Sequence, residues 1–459
     1  MLQNQYLLLI FTFLIFTSCK DEKKELAANT VENKENSVEL TEEELLDTVQ
    51  KQTLKYFWDF AEPNSGMARE RFHPDGVYPK DDAHVVTTGG TGFGLMAIVA
   101  GVERGFIPRD LAVVRFEKIA DFLAKTQRFH GAWSHWLNGE TGKVQAFSEK
   151  DNGGDIVETS FLAQGFIVVR EYLKNGSEKE KIVANKYDEL WKGIEWDWYT
   201  NNKYGIFWHW SPNYQWEMNF MIEGYNECLI TYVLAASSPD HAINPEVYHD
   251  GWARSGKITT NEEAYGLPLI LKHNTSGSKG GPLFWAHYSY LGLNPKGLKD
   301  KYANYWDLNV NHTLINYEYA QENPNNFKTY KPNSWGLTAS YTRNPDDGIG
   351  YNAHSPDTDK GVVSPTAALS SIPYTPEKSL AAMKYFFTEQ NDLLWGPAGF
   401  YDAFSLEGDA WAAKKYLAID QGPIVVMIEN YRSGLIWDLF MQAPEVQNGL
   451  KNLGFTYEK

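Results

Sequence analysis

The stretch "DNGGDIVETSFLAQGFIVV" (151–169) places acidic side chains at Asp151, Asp155 and Glu158 ahead of a run that is apolar on every face of a helix. A helix apolar all round is buried on every side, whereas an amphipathic one keeps a wet face. The buried character recurs in "TGFGLMAIVAGVERG" (91–105), "NECLITYVLAASS" (226–238), "SPTAALSSI" (364–372) and "QGPIVVMIENY" (421–431). Charged, amphipathic stretches alternate with these: "RDLAVVRFEKIADFLAKTQ" (109–127), "SEKEKIVANKYDELWKGIEW" (177–196) and "TPEKSLAAMKYFFTEQ" (375–390). Ahead of them "TEEELLDTVQKQTLKYFWDF" (41–60) opens with a capping box, Thr41 with Glu44. The alternation predicts an outer ring of helices around an inner ring. The fold class expected is all-α, an (α/α)6 barrel or toroid, built as a single domain over residues 41–459. Residues 252–375, rich in Gly, Pro, Asn and Tyr, are expected as long loops over the active-site end.

Composition narrows the partner. A formal net charge of −17 disfavours nucleic acid and anionic membrane surfaces, which would repel the chain. A neutral ligand is compatible, and an aromatic content of 15%, with 16 Trp and 27 Tyr, suits flat ligands such as sugars. The N-terminal apolar run, Tyr6 to Thr17, is too short to span a bilayer and reads as the core of an export signal. It ends in "FTSC", which resembles a lipobox, so residues 1–19 are expected to be a lipoprotein signal ending at a lipidated Cys19. An ordinary cleaved signal peptide is the alternative. Residues 20–40 are charged and poor in apolar groups, the composition of a flexible tether. With Cys19 lipidated, Cys228 is left alone and no disulfide framework is available.

Acidic groups in apolar surroundings carry the chemistry. In "MIEGYNECLITYVLAASS", Glu223 and Glu227 lie four apart, the spacing of one helix face, and Glu227 precedes an apolar run. Burial would raise its pKa, as a general acid needs; a structural Glu bonded to a neighbouring helix is the alternative. In "YLAIDQGPIVVMIENYRSG", Pro423 fits a first helical turn, placing Asp420 at or just before the cap, and Arg432 is positioned to pair with Glu429. Asp155 with Glu158 likewise reads as a helix cap or as an active site. Capping accounts for each acid alone. It does not account for acids gathered where the N-termini of inner helices meet, which is the arrangement glycoside hydrolysis requires. Trp133, Trp136, Trp208, Trp210 and Trp335 are the candidate sugar platforms, with core packing as the alternative for each. "SPDTDKG" (355–361) and "NPDDG" (344–348) read as turns rather than calcium loops, "TTGGTGFG" (87–94) lacks the Lys of a phosphate loop, and no HExxH or Cys/His cluster suggests a metal.

The motifs "TTGGTGFGLMAI", "GAWSHWLNGETG", "DNGGDIVETSFLAQG", "GYNECLITYVLAASSP" and "AIDQGPIVVMIENYRSGLIW" together resemble the glucoamylase-like domain family of exported bacterial proteins, in particular glycoside hydrolase family 144. The resemblance covers about residues 41–455. It implies an (α/α)6 barrel, endo-β-1,2-glucanase activity with anomeric inversion, and no cofactor. On the matching positions Asp151, Asp155 and Glu158 look like the acidic cluster of the second inner helix and Glu227 like the essential Glu of the third, with Asp420 as candidate partner acid; Glu227, Asp155, Glu158 and Asp420 are therefore the expected catalytic groups, and Asp151 and Glu223 are expected to bind substrate. An exo-acting enzyme releasing sophorose and a non-catalytic surface glycan-binding lipoprotein are the alternatives. The expected partner is a neutral glucan, met by a monomer tied to the outer membrane only through its N-terminal lipid.

Overall fold

The computed structural model describes residues 40–274, 276–344 and 348–458, and within them the chain is helix-rich. Cys19 and all but the last residue of the tether lie outside the described residues. In chain order the helices are α1 (Glu42–Trp58), α2 (Thr88–Glu103), α3 (Arg109–Leu123), α4 (Ile156–Leu173), α5 (Glu178–Lys192), α6 (Leu229–Ser237) and α7 (Tyr305–Glu322). They continue with α8 (Pro365–Leu369), α9 (Pro376–Thr388), α10 (Asn391–Leu394), α11 (Ala418–Arg432), α12 (Leu435–Met441) and α13 (Pro444–Asn452). The capping box forms as expected: Thr41 Oγ1 accepts from Glu44 N at 3.3 Å, and Glu44 Oε2 accepts from Thr41 N at 2.9 Å.

The two helix characters sort as the sequence predicts. α6 and α8 bury every side chain and α2, α4 and α11 nearly every one, while α1, α3, α5 and α9 bury a stripe. The buried helices neighbour one another in the order α6, α4, α2, α11, α8. Outside them, α5 covers α4, α1 covers α2 and α11, α9 covers α8 and α13 covers α6. Between α6 and α8 two 3-10 turns, Leu283–Ala286 and Tyr288–Tyr290, fill the remaining place. Ser289 Oγ accepts from Ile230 N at 3.0 Å on the α6 side, and His287 Nε2 lies 2.9 Å from Ser371 Oγ on the other.

Three expectations need correction. The chain is not wholly α: short antiparallel strands tie the connections together, the longest being the hairpin Ala339–Arg343 with Ile349–Ala353. Connections that run beside a buried helix mouth must satisfy their backbone groups, and two- and three-residue ladders do so. Secondly, no helix holds Glu223 and Glu227 on one face, because Gly224 at φ +76° breaks the chain and α6 begins at Leu229. Asn226 Oδ1 accepts from Cys228 N at 2.9 Å, forming the turn that delivers Glu227 just ahead of the helix. Thirdly, Glu429 is paired not with Arg432 but with Arg104, whose Nε and Nη2 donate at 2.7 and 2.9 Å; Arg432 donates to Gln50 Oε1 and faces Asp47 at 2.7 Å. Cys228 is free and buried, and the "SPDTDKG" segment is a turn in which Asp359 Oδ1 accepts from Gly361 N at 2.9 Å.

The glycines of "TTGGTGFG" set how closely α2 and α4 approach. A Cβ on Gly92 would lie 2.1 Å from the Phe161 carbonyl oxygen, and one on Gly165 would lie 2.5 Å from the Gly92 oxygen. Both obstacles are backbone, so neither can swing aside. Gly92→Ala is expected to destabilise the chain by about 3 kcal/mol, the upper end of the usual overpacking cost. A urea midpoint lowered at unchanged slope checks this, and an unchanged midpoint would contradict the close approach.

Candidate active site

The connections leading into α2, α4, α6 and α11, with the 3-10 turns at 283–290 and the hairpin 339–353, enclose a cavity of about 470 Å³. Its wall includes Glu158, Glu227, Glu70, His135, Trp136, Trp208, Tyr288, Tyr341 and Tyr351. Of the four acids expected to be catalytic, Glu158 and Glu227 reach this wall, and Asp155 and Asp420 stand behind it.

Asp155 is both cap and site residue, because its two oxygens are divided. Oδ1 accepts from Val157 N at 3.0 Å and Glu158 N at 2.9 Å, capping α4. Oδ2 accepts from Trp208 Nε1 at 3.1 Å and lies 3.0 Å from His135 Nδ1 and 3.3 Å from His209 Nε2. Burial works against ionisation, yet the two imidazoles outweigh it and hold the Asp155 carboxyl well below the usual range. Asp151 Oδ2 joins the same group, 3.3 Å from His135 Nδ1 and 3.2 Å from His209 Nε2. Burial also opposes charge on the imidazoles, but the carboxylates prevail, raising His135 and bringing His209 up to about 9.

Glu158 does not complete a capping box. Its Oε2 turns across to α2 and accepts from Gly89 N at 2.9 Å, and its Oε1 lies 3.8 Å from His135 Nε2. Burial pushes it up to about 7 against the charge of His135. Glu227 is also pushed up to about 7, first by burial and then by the charges of Glu158 and Asp155. Its backbone carbonyl is fixed by the Ser289 hydroxyl, which donates to it.

Asp420 is placed differently from the expectation. α11 begins at Ala418 with Leu417 as its cap, so Asp420 is the third helical residue and Pro423 lies inside the helix. The Asp420 carboxyl is 1% exposed and raised well above the usual range by burial and by the neighbouring Asp402. Asp402 in turn accepts from Tyr341 N at 2.7 Å and is pushed up to about 6, chiefly by burial. Glu223 faces Arg254 Nη2 at 2.9 Å and does not line the cavity.

The tryptophans divide in the same way. Trp136 and Trp208 line the cavity. Trp133 and Trp335 are fully buried; Trp133 Nε1 donates to Thr126 Oγ1 at 2.9 Å and its ring lies under Arg128, so both are core residues and not platforms. Trp210 packs edge-on against His130 and Trp198, away from the cavity. Reasoning from sequence missed His135, His209 and Glu70. The first two sit inside "SHW" and "WHW" of the Trp-rich segments, and the pairing of Gly154–Asp155 with His209–Trp210 sets His209 opposite Asp155.

The Glycoamylase family model matches residues 219–444. The chain is similar to the structure of an endo-β-1,2-glucanase from Chitinophaga pinensis in complex with sophorotriose and glucose: 58% identity, TM-score 0.88, covering 91% of this chain and 99% of that one. It is also similar to an exo-β-1,2-glucooligosaccharide sophorohydrolase acting at the non-reducing end, from Parabacteroides distasonis, at 44% identity over 90% of this chain. The chain spans 58% of the length of that relative. The structure of a β-1,2-glucanase from Parabacteroides distasonis matches with TM-score 0.83 at 42% identity, covering 90% of this chain and 60% of that one.

Gly89 ties the wall of α2 to Glu158, since a Cβ there would stand 2.5 Å from Glu158 Oε2. Gly89→Ala is expected to displace that carboxylate and lower turnover on β-1,2-glucan about a hundredfold with an unchanged circular dichroism spectrum, the scale of an ångström's misplacement. Turnover within twofold of wild type would show that Glu158 is not needed in this position.

Proposed function

Since the chain belongs to the glucoamylase-like family of β-1,2-glucan hydrolases (glycoside hydrolase family 144 type), we propose that its cavity hydrolyses β-1,2-glucan, cutting within the chain with anomeric inversion and releasing sophoro-oligosaccharides. The ring of neighbouring helices, α6 through α4, α2 and α11 to α8, is read as the inner layer of an (α/α)6 barrel, with the 3-10 turns at 283–290 completing it. The observation that carries the reading is a pair of carboxyls, Glu158 buried and Glu227 half-buried, both raised to about 7 and opening on one cavity with aromatic walls. Hydrolysis of a glycosidic bond needs one carboxyl protonated and one ionised, and environment decides which is which.

Here the neighbours differ. Glu158 is opposed by burial and by the charges of Asp155 and Asp151, but the nearby His135 ring and the Gly89 N–H favour its carboxylate. Glu227 is opposed by its acidic neighbours and is stabilised as a carboxylate only by its own backbone N–H. We assign Glu158, beside the Gly89 N–H and the His135 ring, as the base that activates water, and Glu227 as the acid that gives its proton to the departing glycosidic oxygen. Trp136, Trp208 and Tyr288 supply faces for the glucose rings. Asp155 and Asp151 act through the groups they hold.

Internal cutting is favoured by the 58% identity to the endo-acting structure, whereas the relative at 44% is exo-acting. The hairpin 339–353 contributes Tyr341, Ile349 and Tyr351 to the wall, so its shape bears on this choice. Product analysis of linear β-1,2-glucan decides it: early products of mixed length support internal cutting, and sophorose alone from the start would overturn it. Export and anchoring through Cys19 rest on the run before "FTSC"; secretion of a chain that takes up no fatty-acid label would overturn the anchor.

Glu227→Gln keeps the shape but cannot transfer a proton. Its turnover is expected to fall at least a hundredfold while calorimetry still detects binding of a sophoro-oligosaccharide, and more than a tenth of wild-type turnover would remove Glu227 as the acid. Wild-type turnover should decline as pH rises through about 7, where Glu227 loses its proton. Between the ordinary carboxyl value of 4.5 and about 7 the folded chain holds a proton that the unfolded chain has released. Wild-type stability therefore falls as pH rises across that window relative to the uncharged Gln variant, by up to an order of 3 kcal/mol.

A further inference from the structure

His135, Asp151, Asp155 and His209 come from three separate stretches, yet one ligand-type atom from each lies within 4.8 Å of all the others. We propose that these four side chains form a closed divalent-cation site of the zinc type, beside the cavity and distinct from the two carboxyls that face it.

The distances separate a cation site from a set of ion pairs. A charge-assisted hydrogen bond between an imidazolium and a carboxylate is one-to-one and about 2.7–2.9 Å long. Here each nitrogen sits between two oxygens, His135 Nδ1 at 3.0 and 3.3 Å and His209 Nε2 at 3.3 and 3.2 Å, and His135 Nδ1 is aligned with neither. Ligands about 2.0–2.1 Å from a tetrahedral cation stand roughly 3.3 Å from one another, which these four spacings approach. Asp151 is 3% exposed, and with no hydrogen-bond partner on Oδ1 its carboxylate depends on what Oδ2 meets.

The donor set selects the ion. Two imidazoles and two carboxylates suit zinc and its first-row neighbours, whereas calcium and magnesium take oxygen almost exclusively. Two carboxylates also neutralise a dication, so the site carries no net charge into a buried place. The ligands are held from outside: the backbone N–H groups of Val157 and Glu158 fix Asp155 Oδ1, Trp208 Nε1 donates to Oδ2, and Phe147 stacks on the His135 ring with centroids 4.2 Å apart. Neither Asp151 nor Asp155 forms part of the cavity wall, and four protein ligands leave no open position. The cation would therefore be structural, clamping the loop at His135, the strand Gly154–Asp155 and the strand His209–Trp210 so that Glu158 and Trp208 keep their places.

The test needs no substrate, so it stands or falls apart from the glucanase reading. The purified chain is stripped with a chelator, given one equivalent of Zn²⁺, passed through a desalting column and assayed for metal, with affinity from competition against a chromophoric chelator. Wild type is expected to retain about one zinc per chain and to melt higher with it, and His209→Ala and Asp151→Asn to bind at least a hundredfold more weakly. His241→Ala, at a partly exposed histidine beside Asp197, should retain the full equivalent. Asp151→Asn keeps the side chain's shape, so it remains informative if His209→Ala fails to fold. Wild type holding less than a tenth of an equivalent would overturn the proposal and leave the histidines as ion-pair partners; so would full retention by both ligand variants.

Discussion

Asp155 is asked to satisfy two backbone N–H groups with one oxygen and to meet an indole and two imidazoles with the other, and much of the site depends on this division. Because Oδ1 caps α4, the side chain cannot rotate without exposing helix donors in a dry place. The orientation of Oδ2 is thereby fixed, and with it Trp208 on the cavity wall. Glu158, one turn on, has no need to complete the capping box, so its carboxylate is free to cross to Gly89 on the neighbouring helix. The bland reading of this segment as a cap and the functional reading as a site are one arrangement seen from its two oxygens.

The close contact of α2 with α4 is the second constraint, and it explains a motif whose chemistry was obscure. Gly92 lets two backbones touch, and Gly89, one turn earlier on α2, leaves room for the Glu158 carboxylate. A larger side chain at either would separate the helices or evict the acid.

How far the sequence reaches follows from what kind of information each feature uses. Helix character is local: whether a residue run is apolar all round or on one stripe can be read directly, and α2, α4, α6, α8 and α11 emerge buried as that pattern predicts. A Glu ahead of an apolar run announces its own desolvation, so Glu227 was legible. Position along a wall is not local. Trp133 and Trp136 are three residues apart, and the one is wholly core while the other faces the cavity, a difference set by the strand pairing of Trp136–Asn138 with Val85–Thr87. Asp420 looked like a cap because Pro423 looked like a helix start; the helix begins a turn earlier, and its acid turns inward to Asp402. His135 and His209 belong to the least legible kind, since 74 residues separate them and only the folded chain sets both against Asp155.

Clustered acids in a dry cavity create a problem that the same histidines solve. Asp151, Asp155, Glu158 and Glu227 would repel one another strongly if all were ionised at low dielectric. The protein distributes the charge in depth. The two aspartates, away from the wall, are matched by imidazoles or by a cation between them, and Asp155 is held well below the usual carboxyl range. The two glutamates at the wall receive less compensation and are raised to about 7, where a proton can be held or released with little cost. Moving the compensation one layer outward would leave Asp155 raised along with the two glutamates and no ready base; moving it one layer inward would ionise Glu227 and remove the acid. The division between a matched pair behind and an unmatched pair in front is therefore what turns a set of buried carboxyls into one capable of acid–base chemistry.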